Sequence, residues 1–318
     1  MSYDENRTSG RKVGAVFRTA GGGGINRNFD VGVTVEIPNL DQIVSKVGDL
    51  PSLPTIAIKV MEMVGDPRTS VSDLQHVISS DQALAARILK IANSALFATR
   101  SEITTISHAV VILGFTTLRS VVMASSIQRV FMDGSRRVGS LGDSALWEHS
   151  LAVAIAAREL ATRMGTVSAE EAFVSGLLHD IGKLVLNKNL EKQYQDVLNE
   201  VFLGNETFID AENRILGFNH AHLGALVARK WKLPDIVANA IFYHHNPEMA
   251  QQHVKNCALA CVANMLIVTA GIGLEKREEE DWDLFEPVKV LGLSGPVVRE
   301  IKTRSVDLFI SQRHALLG

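Results

Sequence analysis

The chain has 318 residues, 46% of them hydrophobic and 21% charged, with a formal net charge of −3. That length accommodates one large domain or two small ones, and the near balance of charge excludes a global attraction to nucleic-acid polymers or to an anionic membrane surface. The only cysteines, Cys257 and Cys261, are too few for a disulfide scaffold, fit a reducing compartment, and read as small buried apolar residues, because two further soft ligands for zinc are missing.

Residues 1–35 read as a disordered tail. They contain four consecutive glycines, Gly21–Gly24, and no sustained apolar period, so they bury too little surface to offset their ordering entropy. From "IPNLDQIVSKVGDLPSLPTIAIKVMEMVG" the pattern becomes helical, with Pro54 suited to a first turn and Ile58, Met61 and Val64 recurring toward Gly65. Ser70 and Asp73 resemble a capping box ahead of Leu74, Val77 and Ile78, and Asp81 is placed to cap "QALAARILKIANSALF". "TTISHAVVILG" and "TTLRSVVMASSIQRVF" each open on Thr, and Gly114 closes the first.

The second half continues in the same style. "DSALWEHSLAVAIAARELATRMG" runs to Gly165, Ser168 with Glu171 forms a capping box for "AEEAFVSGLLHDIGKLVL", and Asn219 is placed to cap "HAHLGALVARKW". "PDIVANAIFYHH" begins at Pro234, "VKNCALACVANMLIVTAG" is an apolar helix, and "EKREEEDWD" reads as a solvated acidic linker. "VVREIKTRSVDLFISQRHALL" closes the chain as an amphipathic helix. No alternating strand pattern is convincing, so the expected fold is an all-α, two-lobed helical bundle. Its expected divisions are a tail over 1–35, an N-terminal lobe over 36–134 and a second helical lobe over 135–318. No apolar stretch is expected to reach the roughly 20 residues of a membrane span, and the N-terminus lacks a signal-peptide core, so the expected location is the cytoplasm.

Seven of the ten histidines fall between positions 149 and 253. Taken singly, each reads more readily as a structural or surface residue than as a ligand. The adjacent pairs His179–Asp180 and His244–His245 are harder to dismiss. Neighbours on a helix point about 100° apart, so both reach one site only over a helix end, and imidazole with carboxylate is a ligand set for divalent metals.

"LWEHS", "GLLHDIGKL" and "GFNHAHLGALVARKWKLPDIVANAIFYHH", in this order, resemble the HD phosphohydrolase superfamily. Within it, "LPSLPTIAIKVMEMVGDPRTSVSDLQHVISSDQALAARILKIANSALF" followed by "ISHAVVILGFTTLRSVV" is similar to the helical N-terminal portion of HDOD signalling proteins. The likeness covers roughly residues 40–270. It implies a second lobe of HD type with a metal set of His149, His179, Asp180, His220, His244 and His245, with His222 as a rival for His220. Asp180 would be the catalytic and bridging carboxylate. Lys183 stands where HD enzymes hold a cation near a substrate phosphate, and equally where a solvated Lys would follow a Gly-marked helix end. The cofactor implied is a divalent metal, one ion or two, with iron, manganese, zinc, cobalt and nickel not distinguished.

Two departures from catalytic relatives stand out. Asn264 occupies the slot of a late Asp, and an amide lacks the charge that balances a dication. "HHNPEMAQQ" carries no glycine-tyrosine-proline segment of the related HD-GYP branch. The resemblance therefore implies a bacterial signal-transduction module with signalling proteins as partners, the alternative being a metal-dependent phosphohydrolase acting on a nucleotide or phosphodiester. A third reading treats the histidines as packing alone. With no receiver, kinase or DNA-binding segment visible, input and output are expected from other chains.

Overall fold

The computed structural model describes residues 40–94, 102–132, 141–204, 206–275 and 277–317. The expected tail over 1–35 and the expected lobe boundary between 134 and 135 lie outside the described residues. All regular structure in the described residues is helical, as the patterning requires. The first lobe comprises α1 (Leu40–Val47), α2 (Thr55–Gly65), α3 (Val71–Ser79), α4 (Gln82–Ala92) and α5 (Ile106–Met132). The second comprises α6 (Leu141–Met164), α7 (Ala169–Leu178), α8 (Ile181–Asn189), α9 (Glu191–Phe202), α10 (Phe208–Leu216), α11 (His220–Lys230) and α12 (Asp235–Tyr243). A 3-10 turn (Pro247–Met249), α13 (Val254–Thr269), α14 (Glu286–Leu291) and α15 (Gly295–Leu317) complete it.

The punctuation read from sequence sits close to where it was expected. Ser70 and Asp73 form a reciprocal capping box, Asp81 accepts from the Leu84 backbone N–H, and Asn219 accepts from that of His222. Such caps each stabilise a helix start by about 1 kcal/mol. Ser168 accepts from the Glu171 backbone N–H, which is half of the box expected there. Pro54 and Pro234 lie one residue before their helices, at the N-cap rather than in the first turn.

One helix differs from expectation in length. Ile106–Phe131 is long and apolar enough to cross a membrane by length and composition, although no such stretch was expected. Gly114 breaks it, with φ 72° and ψ 167°, into the two segments that the sequence punctuation had separated. More than half of its apolar window is buried against the rest of the fold. The acidic run is also more than a solvated linker. Trp282 is fully buried, donating through Nε1 to Glu279 at 2.7 Å, and so pins that segment to the core.

Among the described residues one large apolar core runs through both lobes, from Ile43 in α1 to Phe309 in α15, with a small satellite of Ala92, Ile103 and Ala109 beside it. Trp147 and Phe131 pack across the junction with tilted rings, centroids 5.4 Å apart, and Trp231 donates to the Pro51 carbonyl at 2.9 Å. Asn189 donates to the carbonyls of Val47 and Asp49, fastening α8 to the end of α1. The second lobe is built around close helix approaches, and the tightest is at Gly182. A Cβ there would lie 2.0 Å from the His220 carbonyl oxygen, so only glycine lets the start of α8 pass the start of α11.

Gly182→Ala is accordingly expected to destabilise the fold by about 1–3 kcal/mol or more, as an overpacked contact against backbone. Gly65→Ala, where an added methyl meets nothing within 4 Å, should change stability by less than about 0.5 kcal/mol. Urea unfolding of the two variants checks the contrast; equal midpoints would show that α8 and α11 are not held at this distance.

Candidate metal centre

The centre forms where the α7–α8 junction, the start of α11 and the end of α12 meet the middle of α6 and α13. His179 is the C-cap of α7 and Asp180 the N-cap of α8, so the chain turns between them and both side chains face inward. His220 is the first residue of α11, His244 caps the C-terminus of α12, and His245 follows it. His149 departs from the helix-end pattern, for it sits within α6. Asn264 reaches in from α13. His149, His179, Asp180, His220 and His244 are all buried, and His245 is half-buried.

Asp180 lies between two groups of imidazoles. Its Oδ2 is 3.3 Å from His179 Nε2 and 3.7 Å from His149 Nε2. Its Oδ1 is 3.2 Å from His220 Nε2 and 3.7 Å from His244 Nε2. His220 Nε2 and His245 Nε2 are 3.0 Å apart, and His149 Nε2 and His179 Nε2 are 3.3 Å apart. Two ligand sets result, His149–His179–Asp180 and Asp180–His220–His244–His245, each with its donor atoms within 4.8 Å of one another. Ligands 2.0–2.1 Å from a tetrahedral cation stand about 3.3 Å apart, which is the spacing found here.

The imidazoles are aimed by their other nitrogen. Nδ1–H of His149 donates to the Ile272 carbonyl at 2.9 Å, that of His179 to Gly176 at 2.7 Å, and that of His244 to Ile241 at 2.7 Å. Nδ1–H of His220 donates to a carboxylate oxygen of Glu212 at 2.7 Å. Each bond fixes the tautomer that leaves Nε2 free to ligate. Asp180 Oδ1 and His244 Nε2 are buried with no hydrogen-bond partner, and buried polar atoms of that kind are costly unless a cation or water meets them. The donor set, its spacing and these two orphans all fit a divalent cation.

Burial is the largest influence on every one of these groups. It pulls His149 down to about 4, reinforced by His179, and it pulls His179, His244 and His245 down as well. At His220 burial also acts downward, but Glu212 and Asp180 outweigh it and the group is raised. Burial would raise Asp180, yet His179, Lys183 and His220 together hold it well below the usual carboxylate range.

Of the sequence candidates, the six residues expected to ligate and Asn264 converge. Asn264 Oδ1 stands 3.1 Å from His149 Nε2, beside the first ligand set. Lys183 is 5% exposed, 2.9 Å from Asp180 Oδ2 and 4.2 Å above the Phe208 ring. It is therefore no solvated lysine. His222 is not in the cluster, because its Nδ1 accepts from the Asn219 backbone N–H within the capping box of α11. Glu212 was missed by sequence reasoning. Its signal was present: in α10 it occupies an apolar-stripe position with Phe208, Ala211 and Leu216, where a carboxylate is out of place.

Two cavities adjoin the centre. One of about 10 Å³, against His149, Asp180, Lys183 and Phe208, has room for no more than about one water or ion. The other, about 270 Å³, opens over His244, His245 and Asn264, and its charged lining is Glu248, Glu275, Glu280 and Arg277.

The family model for the HDOD domain matches residues 50–247, more than half of the chain. The solved structure of an HDOD domain protein from Geobacter sulfurreducens is 28% identical and superposes with a TM-score of 0.77, covering 87% of this chain and 97% of that one. An uncharacterized protein of Treponema pallidum is 28% identical over 280 residues, 84% of this chain and 49% of its own length. Ribonuclease Y of Nitratiruptor is 30% identical over 163 residues, 51% of this chain and 25% of its own. The chain thus spans half or less of the length of these curated relatives.

The pKa directions set a pH dependence for the metal-free protein. A histidine whose folded pKa is depressed contributes stability that is complete above its unfolded value of about 6.5 and is lost as pH falls toward the folded value. His149, at about 4, alone accounts for a loss on the order of 3 kcal/mol across that window. His220, shifted the other way, offsets a part of this. Urea midpoints of chelator-treated protein should therefore fall steadily from pH 7 to pH 4.5. A midpoint that stays level or rises would mean that these imidazoles are not buried in their neutral form.

Proposed function

The chain belongs to the HDOD domain family, and from that premise we propose that it is a regulatory module of bacterial signalling whose second lobe is organised by a divalent metal centre, with turnover of substrate lost. His149, His179, Asp180, His220, His244 and His245 would hold one ion or two, and Asp180 belongs to both ligand sets. When bound, such a cation supplies charge neutralisation for Asp180 and, in hydrolytic enzymes, activation of water and of a phosphoryl group. The chain's own residues do the rest: the backbone carbonyls and Glu212 aim the imidazoles, and Lys183 balances Asp180 beside the smaller cavity. The lobes are proposed to divide between residues 134 and 135, with the N-terminal lobe as the partner-facing part. Val111 and Ile112, 66% and 50% exposed just before the break at Gly114, supply an apolar surface for such contact.

The observation that carries this reading is Asn264. It stands 3.1 Å from His149 Nε2, where a neutral amide adds an oxygen to the first ligand set without the charge of a carboxylate. That set is left with one shared carboxylate for a dication, and Lys183 already pairs with the oxygen that faces it. The lining of the larger cavity points the same way, since three carboxylates and one guanidinium are a poor receptor for a phosphate ester.

The second reading, a metal-dependent phosphohydrolase, draws on the near-complete ligand set itself. Elemental analysis paired with hydrolysis of bis(p-nitrophenyl) phosphate in manganese or zinc separates the two. The expected results are metal in the wild type, its loss in Asp180→Ala, and no turnover above buffer. Asn264→Asp is expected to tighten metal binding at the His149–His179–Asp180 set by roughly tenfold, about 1.4 kcal/mol. Wild-type hydrolysis that His179→Ala abolishes would overturn the regulatory reading in favour of the second.

A further inference from the structure

Glu212 is a carboxylate with zero exposure, on α10, outside every ligand set. The left-handed cap at Gly217, φ 81°, ends α10 and turns the chain so that α11 starts beside it. One oxygen, Oε2, then accepts two bonds from the same residue eight positions later: the backbone N–H of His220 at 2.7 Å and its Nδ1–H at 2.7 Å. Among the described residues, its ion pair is with His220 alone.

Capping α11 does not explain this arrangement. Asn219 already serves as the N-cap through its side-chain oxygen, and an uncharged acceptor at 212 would satisfy the His220 N–H equally well. A fully buried negative charge is costly unless something nearby uses it. Glu212 is buried on the far side of His220 from Asp180, so two carboxylates face that one ring, while Lys183 meets only the Oδ2 side of Asp180.

We propose that Glu212 is a positioning residue that turns His220 Nε2 onto Asp180 Oδ1, makes the imidazole a stronger donor, and so tightens the His220–His244–His245 half-site for a divalent cation. The proposal rests on the metal-centre reading above. It assigns the two ligand sets unequal roles: the one next to Glu212 is the tight one, and the one next to Asn264 the weak one. A carboxylate–histidine–metal relay of this kind is worth about 10–100-fold in metal affinity.

The test is a Zn(II) titration of the full-length chelator-treated protein by calorimetry with a competing chelator, alongside thermal melts without metal. Glu212→Gln keeps the shape and an acceptor oxygen but removes the charge. Its metal-free melting temperature should stay within about 3 °C of wild type, while the tighter Zn(II) equivalent weakens 10–100-fold and the other is unchanged. In a His220→Ala background the same substitution should add nothing, because Glu212 acts through that ring. Unchanged affinity in Glu212→Gln, or equal weakening with and without His220, would overturn the proposal while leaving the metal centre standing. No Zn(II) binding by wild type would overturn both. If Glu212→Gln does not fold, long-range ¹H–¹⁵N spectra of zinc-loaded wild type decide: His220 must carry its proton on Nδ1, and a proton on Nε2 would refute the relay.

Discussion

The second lobe depends on one buried charge. Asp180 is 1% exposed at the start of α8, and a carboxylate in that position is tolerable only while cations or strong donors surround it. Lys183, one turn later, supplies part of that compensation at Oδ2, and four imidazoles crowd the two oxygens. The helices that bring them there, α6, α7, α11 and α12, are fixed in turn by what Asp180 requires. The close passage at Gly182 is part of the same constraint, because the residue after the HD pair's first helical neighbour must slide past the His220 carbonyl for Asp180 to reach His220 at all.

Around that charge the two halves of the centre are built differently. On the Oδ1 side, three histidines converge, one of them anchored by a fully buried carboxylate. On the Oδ2 side, two histidines face an ammonium and an amide. A cation is better served by the first set, where no other positive group competes for the same oxygen. The asymmetry explains how a chain can keep nearly all the ligands of a hydrolytic superfamily and still be proposed as a regulatory module. Chemistry across two ions requires both halves to be charged and open, and the Oδ2 half adjoins a cavity of only about 10 Å³.

Much of this was legible in the sequence because helices announce themselves through local signals. Ser70, Asp81 and Asn219 were recognisable as caps, and Gly114 as a break, because each acts through its own neighbourhood. The candidate ligands were legible by resemblance, since the "LWEHS", "HD" and "HH" groups stand in the expected order even though the distances between them come from packing. What could not be read was set by tertiary contact. Glu212 stands out in the sequence only as a carboxylate in an apolar stripe, and its partner is given only when α11 folds back onto it. Lys183 reads equally as a cation for a substrate phosphate or as a solvated lysine until Phe208 and Asp180 are found beside it. His220 and His222 could not be separated by spacing, and the choice between ring and cap is made only by the geometry of the α11 start. The buried Trp282 in an acidic run is a further case, for one aromatic outweighs the charges around it once a pocket exists to receive it.

The central claim is that a cation sits between Asp180 and the imidazoles, and that it sits first on the Oδ1 side. Anomalous diffraction from crystals grown with limiting zinc tests this directly. The account predicts a single strong peak about 2.0–2.2 Å from Asp180 Oδ1 and from Nε2 of His220, His244 and His245, with a second, weaker peak near His149 and His179 only when zinc is in excess. A stronger first peak on the His149–His179 side, or no peak at either ligand set, would contradict it.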